Sequence, residues 1–175
     1  MSSTLILGGA RSGKSLYAES RAASFEKVTY IATGVGHEED ADWQARIVLH
    51  QARRPAHWQV IETNDLPDAI RSAAGIPIVD CLTLWLTNVL DQLEAWSSAR
   101  SKWGALLEER VEELLVAIRS HDVLIVSNEI GSGVHPETES GRLFRDELGR
   151  LNMQVASVCK EVVLVVAGIP LKLKG

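Results

Sequence analysis

A glycine-rich turn set between an apolar strand and a helix constrains this chain more than any other feature. Thr4-Leu5-Ile6-Leu7 runs into Gly8-Gly9-Ala10-Arg11-Ser12-Gly13-Lys14-Ser15, and a helical stretch opens at Lys14. The spacing is G-x-x-x-x-G-K-S, that of a P-loop. Glycines let such a backbone curl until successive N–H groups point inward at phosphate oxygens, and the following helix adds its positive end. In that arrangement Lys14 would neutralise the β- and γ-phosphates and the Ser15 hydroxyl would ligate Mg²⁺. An apolar strand before the turn and a helix after it are the context the motif needs.

The rest of the chain repeats the same alternation. Strands are expected at Thr4–Gly8, Lys27–Thr33, Trp58–Thr63, Ile76–Asp80, Asp122–Asn128 and Glu161–Ala167. Runs such as Val123-Leu124-Ile125-Val126 and Val162 to Val166 are apolar without alternation, which suits parallel strands covered on both faces. Helices are expected at about Lys14–Phe25, Ala41–Arg53, Leu66–Ala74 and Leu82–Leu93. Two more are marked by apolar stripes, one through Leu106, Leu107, Val111, Leu114, Leu115 and Ile118, the other from Leu143 and Phe144 through Leu148 and Leu151 to Val155 and Val158. Strand–helix alternation from end to end predicts a doubly wound α/β fold. With the motif, that becomes a P-loop NTPase-like three-layer sandwich with a mostly parallel central sheet. The 175 residues are one domain's worth, so residues 1–175 are read as a single unit.

Composition narrows the partners. Hydrophobic residues make up 46% and charged residues 23%, so a true core is available without disulfide staples. Net charge is −5, which argues against a surface built to coat nucleic acid. The longest apolar stretch, Val162 to Leu171, is interrupted by Gly168 and Pro170 and is too short for a membrane span. The first residues lack the basic start of a secretory signal. Cys81 and Cys159 form no C-x-x-C pair and read as reduced thiols, so the expected compartment is the cytoplasm.

A P-loop also needs an acid beside its metal, and two strands end in one. Ile76-Pro77-Ile78-Val79-Asp80 has the Walker-B form, which places Asp80 on the Mg²⁺ side; Glu129, after the strand that ends at Asn128, is the rival. The guanine-reading N-K-x-D motif of signalling GTPases is absent, since Asn64, Asn88, Asn128 and Asn152 precede Asp65, Val89, Glu129 and Met153. A small kinase or group-transfer enzyme is the class that remains. A P-loop small-molecule kinase without nucleotidyl transfer and a non-catalytic nucleotide-binding subunit both stay open on these residues.

A second constellation lies in Ala45–Pro55. If helical, it puts Arg46, His50 and Arg53 or Arg54 on one face, and Pro55 ends it. Guanidinium neighbours would disfavour the charged form of His50 and keep it nucleophilic, while arginines could hold the phosphates of an incoming nucleotide. Such a histidine can attack an α-phosphate and carry a nucleotidyl group. His135, in the loop Gly131–Glu137, is a further candidate for substrate contact.

Taken together, these segments resemble a known family. Gly8–Ser15, Tyr30-Ile31-Ala32-Thr33, Ala45-Arg46-Ile47 with His50 and Arg54-Pro55, Asp80-Cys81-Leu82-Thr83 with Thr87-Asn88, Asn128-Glu129-Ile130-Gly131, Phe144-Arg145-Asp146 through Asn152, and Val165 to Pro170 occur in order along nearly the whole chain. The chain is similar to the bifunctional adenosylcobinamide kinases/adenosylcobinamide-phosphate guanylyltransferases of cobalamin biosynthesis. The resemblance implies two reactions: phosphorylation of adenosylcobinamide by GTP or ATP, then transfer of GMP from GTP through a guanylylated histidine, with pyrophosphate released. It implies His50 as that histidine and Lys14 as its catalytic companion. Gly8, Gly9, Ala10, Arg11, Ser12, Gly13, Lys14, Ser15, Ala32, Thr33, Gly34, Gln51, Ala52, Arg53, Arg54, Glu62 and Asp80 would bind nucleotide, with Ser15 and Asp80 on the Mg²⁺ side. Homo-oligomers, a trimer among them, are implied by the resemblance alone. The acidic stretch from Val35 to Gln44 is slightly longer than the family's common form.

Overall fold

The computed structural model describes residues 3–34 and 54–175. Six apolar runs become strands close to where their patterns predict them: β1 (Ser3–Gly8), β2 (Val28–Ala32), β3 (Gln59–Glu62), β4 (Ile76–Asp80), β5 (Val123–Asn128) and β6 (Glu161–Val166). Between them lie α1 (Lys14–Ala22), α2 (Leu66–Ser72), α3 (Leu82–Gln92), α4 (Arg100–Ser120) and α5 (Glu139–Val158). The helix expected over Ala41–Arg53 and most of the loop after β2 lie outside the described residues.

A seventh strand, β7 (Ile169–Lys174), is the clearest departure from the sequence reading. The apolar stretch through Leu171 does not run on past β6; it folds back at Ala167-Gly168, and Val166 pairs with Ile169 in an antiparallel hairpin. Both turn residues have positive φ, 51° and 80°, the handedness a two-residue hairpin needs to match the twist of its strands.

The seven strands form one sheet in the order β3-β2-β4-β5-β1-β6-β7, parallel throughout except for β7. Strand residues alternate between two cores, as a pleat requires. Leu5, Leu7, Ile31, Val79, Val123 and Ile125 face α2, α3, α4 and α5, while Ile6, Tyr30, Ile78, Leu124 and Val126 face the side where Ala18 and Ala22 of α1 pack. Helices on both faces give the α/β sandwich that the alternation predicts.

Local chemistry sets the helix ends. Asp65 caps α2 by accepting from the Asp68 amide at 3.1 Å, and Thr138 caps α5 by accepting from the Gly141 amide at 3.1 Å. Two expectations need correction. First, α1 stops at Ala22 rather than Phe25, whose side chain is half exposed. Second, Leu106 is 50% exposed: the buried stripe of α4 runs through Trp103, Leu107, Val111, Leu114, Leu115 and Ile118, and Leu106 sits about 100° round the helix from Leu107.

Candidate active site

The parallel register brings the strand ends to one edge of the sheet. Gly8 lies level with Asn128 of β5 and Val165 of β6; Ala32 lies level with Glu62 of β3 and Asp80 of β4. Ligands of open α/β sheets sit at this carboxyl edge.

The loop from Gly8 to Ser15 is held by two neighbouring segments and by a hydrogen bond of its own. The Gly8 carbonyl accepts from the Glu129 amide at 3.0 Å, the Gly9 carbonyl from the Ser12 amide at 3.3 Å, and the Ser12 carbonyl from the Gly168 amide at 2.8 Å. Gly8 has no room for a side chain, because a Cβ there would lie 2.3 Å from Ser12 Oγ and 2.7 Å from the Val165 carbonyl oxygen. Ser12 Oγ is buried without a hydrogen-bond partner among the described residues. Gly9, Ala10 and Arg11 are exposed, whereas Gly13, Lys14 and Ser15 are half-buried.

Gly13 precedes α1 with φ 94°, and no side chain caps the helix. The first-turn amides of α1 are therefore left to the loop cavity, the arrangement in which a helix end attracts an anion. Lys14 reaches back to the Gly9 carbonyl at 3.0 Å. Burial lowers the pKa of its ammonium, opposed by the nearby Asp80 carboxylate and Cys81. A lysine so placed is a partly desolvated positive charge at the mouth of the loop.

Asp80 ends β4, and the peptide bond to Cys81 is cis. Its Oδ2 accepts a hydrogen bond from the hydroxyl of Tyr30. Burial, then the Asp80 charge, raises the Tyr30 pKa well above the ordinary phenol value, so this hydroxyl keeps its proton. The Cys81 thiol is buried and pushed up to about 11 by the same two causes, which leaves it a neutral thiol. Cys81 and Cys159 are both free.

Arg54 sits over Tyr30, its Cζ 3.4 Å from the ring centroid, and its Nε is buried without a hydrogen-bond partner among the described residues. Thr33 is buried in a polar knot. Its hydroxyl donates to the Cys81 carbonyl at 2.8 Å and accepts from the Cys81 amide at 2.9 Å. Its carbonyl accepts from Asn88 Nδ2 at 2.8 Å, and the same Nδ2 donates to Asn64 Oδ1 at 2.7 Å. These side chains hold the end of β2 to the start of α3 beyond the last ladder bonds.

Of the residues singled out from sequence, the loop, Lys14, Ser15, Ala32, Thr33, Asp80 and Arg54 lie along this edge. Glu62 is exposed at the end of the outer strand β3, opposite Ala32. Glu129 is half-buried, and its Oε1 accepts from the Gly131 amide at 2.7 Å, so the carboxylate is engaged by its own loop. His135 is exposed. His50, Gln51, Ala52 and Arg53 lie outside the described residues. Sequence reading did not single out Tyr30 or Asn88 as individual site residues. The signal for Tyr30 was present: a phenol in the mostly apolar run of β2 must find a partner for its hydroxyl when buried.

The sheet order and the loop define an α/β domain of the P-loop NTPase-like class. The sequence model of the cobinamide kinase / cobinamide phosphate guanyltransferase family matches residues 4–173. The chain belongs to that family and is a transferase. It is 44% identical to the bifunctional adenosylcobalamin biosynthesis protein CobP of Pseudomonas aeruginosa, over 98% of this chain and 96% of that one. It is 36% identical to the bifunctional adenosylcobalamin biosynthesis protein CobU of Salmonella typhimurium, over 97% of this chain and 98% of that one. Among solved structures, the protein of Project ID PH0250 from Pyrococcus horikoshii OT3 superposes with a TM-score of 0.53 at 8% identity, covering 99% of this chain and 86% of that one. That likeness concerns the fold alone.

Proposed function

We propose that this protein phosphorylates adenosylcobinamide with a nucleoside triphosphate and then transfers GMP from GTP onto the product, through a guanylylated His50. Family membership supports the pair of reactions, and one observation carries the site: the half-buried ammonium of Lys14 faces Asp80 at the rim of a loop whose helix has no side-chain cap.

In the first reaction the substrate hydroxyl oxygen bonds to the γ-phosphorus, the bond to the β,γ-bridging oxygen breaks, and the hydroxyl proton leaves. Lys14 and the amides of Gly8 to Ser15 hold the phosphates and meet the charge that develops on them. In the second, a His50 ring nitrogen bonds to the α-phosphorus of GTP and pyrophosphate departs. The phosphate of the first product then takes the guanylyl group from histidine, which restores the imidazole. Arg54 and the neighbouring Gln51, Ala52 and Arg53, with Ala32, Thr33, Gly34 and Glu62, make up the nucleotide's other contacts.

Mg²⁺ fits the donors on offer. The Ser15 hydroxyl in the first turn of α1 and the Asp80 carboxylate at the end of β4 are both hard oxygen groups, and a cation held by one or two protein oxygens shares the rest of its shell with phosphates and water. It would supply charge neutralisation at the phosphates being transferred. Among the described residues no helix is long and apolar enough to cross a membrane. We place the reactions in the cytoplasm, in a homo-oligomer that includes the trimer as a candidate state.

The test is retention of label. The protein is incubated with Mg²⁺ and GTP labelled at the α-phosphate, then denatured, with His50→Ala alongside. Acid-labile, base-stable label on the unaltered protein alone is the expected result. No label on either, in protein that binds GTP, would overturn the guanylyl-histidine step and leave a simple kinase.

A further inference from the structure

Tyr30 is 2% exposed, yet its two polarities are both in use. The hydroxyl edge donates to Asp80 Oδ2, and the ring face carries the guanidinium of Arg54 at 3.4 Å. These two partners come from different parts of the chain. Asp80 ends β4 beside Lys14, whereas Arg54 leads into β3 from the segment that holds His50. Nε of Arg54 makes no hydrogen bond among the described residues, and the Tyr30 ring is the surface over which its guanidinium carbon rests. A phenol fixed in a strand is well suited to the task, because it has only two side-chain torsions and its ring is locked by the core around it.

We propose that Tyr30 is a positioning residue for both halves of the reaction, its hydroxyl orienting the Asp80 carboxylate and its ring orienting Arg54. The inference rests on the reading of Asp80 and Arg54 given under Proposed function. It predicts that the two supports can be removed separately, since phenylalanine keeps the ring and loses only the hydroxyl.

The experiment measures GTP affinity by calorimetry, in chelator and again in Mg²⁺, for the unaltered protein, Tyr30→Phe, Tyr30→Leu, Arg54→Ala and Asp80→Asn. Tyr30→Phe should keep its metal-free affinity within about twofold and lose roughly tenfold or more of the gain that Mg²⁺ brings, the worth of one hydrogen bond to a charged group. Tyr30→Leu should in addition lose about fivefold or more of the metal-free affinity, the worth of the stacked guanidinium. Arg54→Ala should show at least that metal-free loss without altering the core, so it serves if Tyr30→Leu does not fold. A purely structural role would lower the melting temperature of Tyr30→Phe without dividing the two conditions. If Tyr30→Phe matches the unaltered protein in both conditions while Asp80→Asn loses the Mg²⁺ gain, the inference about the hydroxyl is overturned and the reading of Asp80 stands. An Asp80→Asn variant with its full Mg²⁺ gain overturns that reading, and the hydroxyl's role with it. Equal metal-free affinity in Arg54→Ala and the unaltered protein overturns the role of the ring.

Discussion

The backbone amide of Gly168 donates a 2.8 Å hydrogen bond to the carbonyl of Ser12, so the turn between the last two strands holds the P-loop from the side. Gly168 has φ 80°, and its Cα lies 3.2 Å from where a Cβ on Gly13 would be. Loop and hairpin are thus packed backbone to backbone. Gly168→Val should lower stability by about 1–2 kcal/mol, the cost of a side chain in the left-handed region, and weaken GTP binding as the loop loses its brace. Urea unfolding and GTP calorimetry on the same variant check both parts; unchanged affinity in a destabilised protein would mean the brace serves only the fold.

Lys14→Ala should lower turnover in both reactions by at least roughly 10²–10³-fold, the usual effect of deleting a donor aimed at charge that develops in the transition state, and should weaken GTP binding as well. Its stability should move by less than about 0.5 kcal/mol, since the ammonium's hydrogen bond is to an exposed loop carbonyl. Unimpaired affinity by calorimetry would remove the P-loop from the reading of the site.

Asn88 is buried, and its amide nitrogen serves the Thr33 carbonyl and Asn64 Oδ1 together. Asn88→Ala would leave the buried Thr33 carbonyl without its donor and free the half-exposed Asn64 Oδ1. A loss of about 2–3 kcal/mol in unfolding free energy is expected, with a raised KM for GTP because Thr33 sits at the site's edge. A stability change within about 0.5 kcal/mol would show that water replaces the amide.

Glu161 accepts from Arg21 Nη2 at 2.9 Å and from Thr4 Oγ1 at 3.2 Å, which ties α1 to the start of β6. The Arg21 hydrogen bond is the main reason its carboxyl sits below the usual range. A carboxyl with a depressed folded pKa stabilises the protein above its unfolded value of about 4.3, and that stabilisation disappears as pH falls through the folded value. Glu161→Gln should therefore cost about 1 kcal/mol at neutral pH and less at about pH 3, where the unfolded carboxyl is already protonated. Urea midpoints of the pair of proteins at the two pH values decide it; an equal difference at both would assign the effect to shape rather than charge.

Most of the architecture was legible because it rests on local patterns. Uninterrupted runs such as Val123 to Val126 lie between two cores, and the curl from Gly8 to Ser15 takes left-handed backbone at Gly13, where the motif places a glycine, though also at Arg11, where it does not. β7 escaped because an outer strand needs no buried face: all six residues are exposed, Ile169 by 70%, and the alternation Leu171-Lys172-Leu173-Lys174 is short and follows Pro170. Leu106 misled because a leucine next to a buried stripe looks the same in sequence as one within it. At the site, a strand ending in Asp80 could be read directly, but its union with Tyr30 could not. That contact depends on which strands lie side by side, and β2 meets β4 only through a crossover.

The brace on the P-loop also has a meaning in time. The loop is complete in sequence at residue 15, yet one of its supports comes from residue 168 and its neighbouring carboxylate from residue 80. During synthesis the early segment would wait, curled but unbraced, until the hairpin arrived. If affinity falls with the brace in Gly168→Val, nucleotide binding is a late acquisition, and a chain stalled before the hairpin carries the motif without the grip.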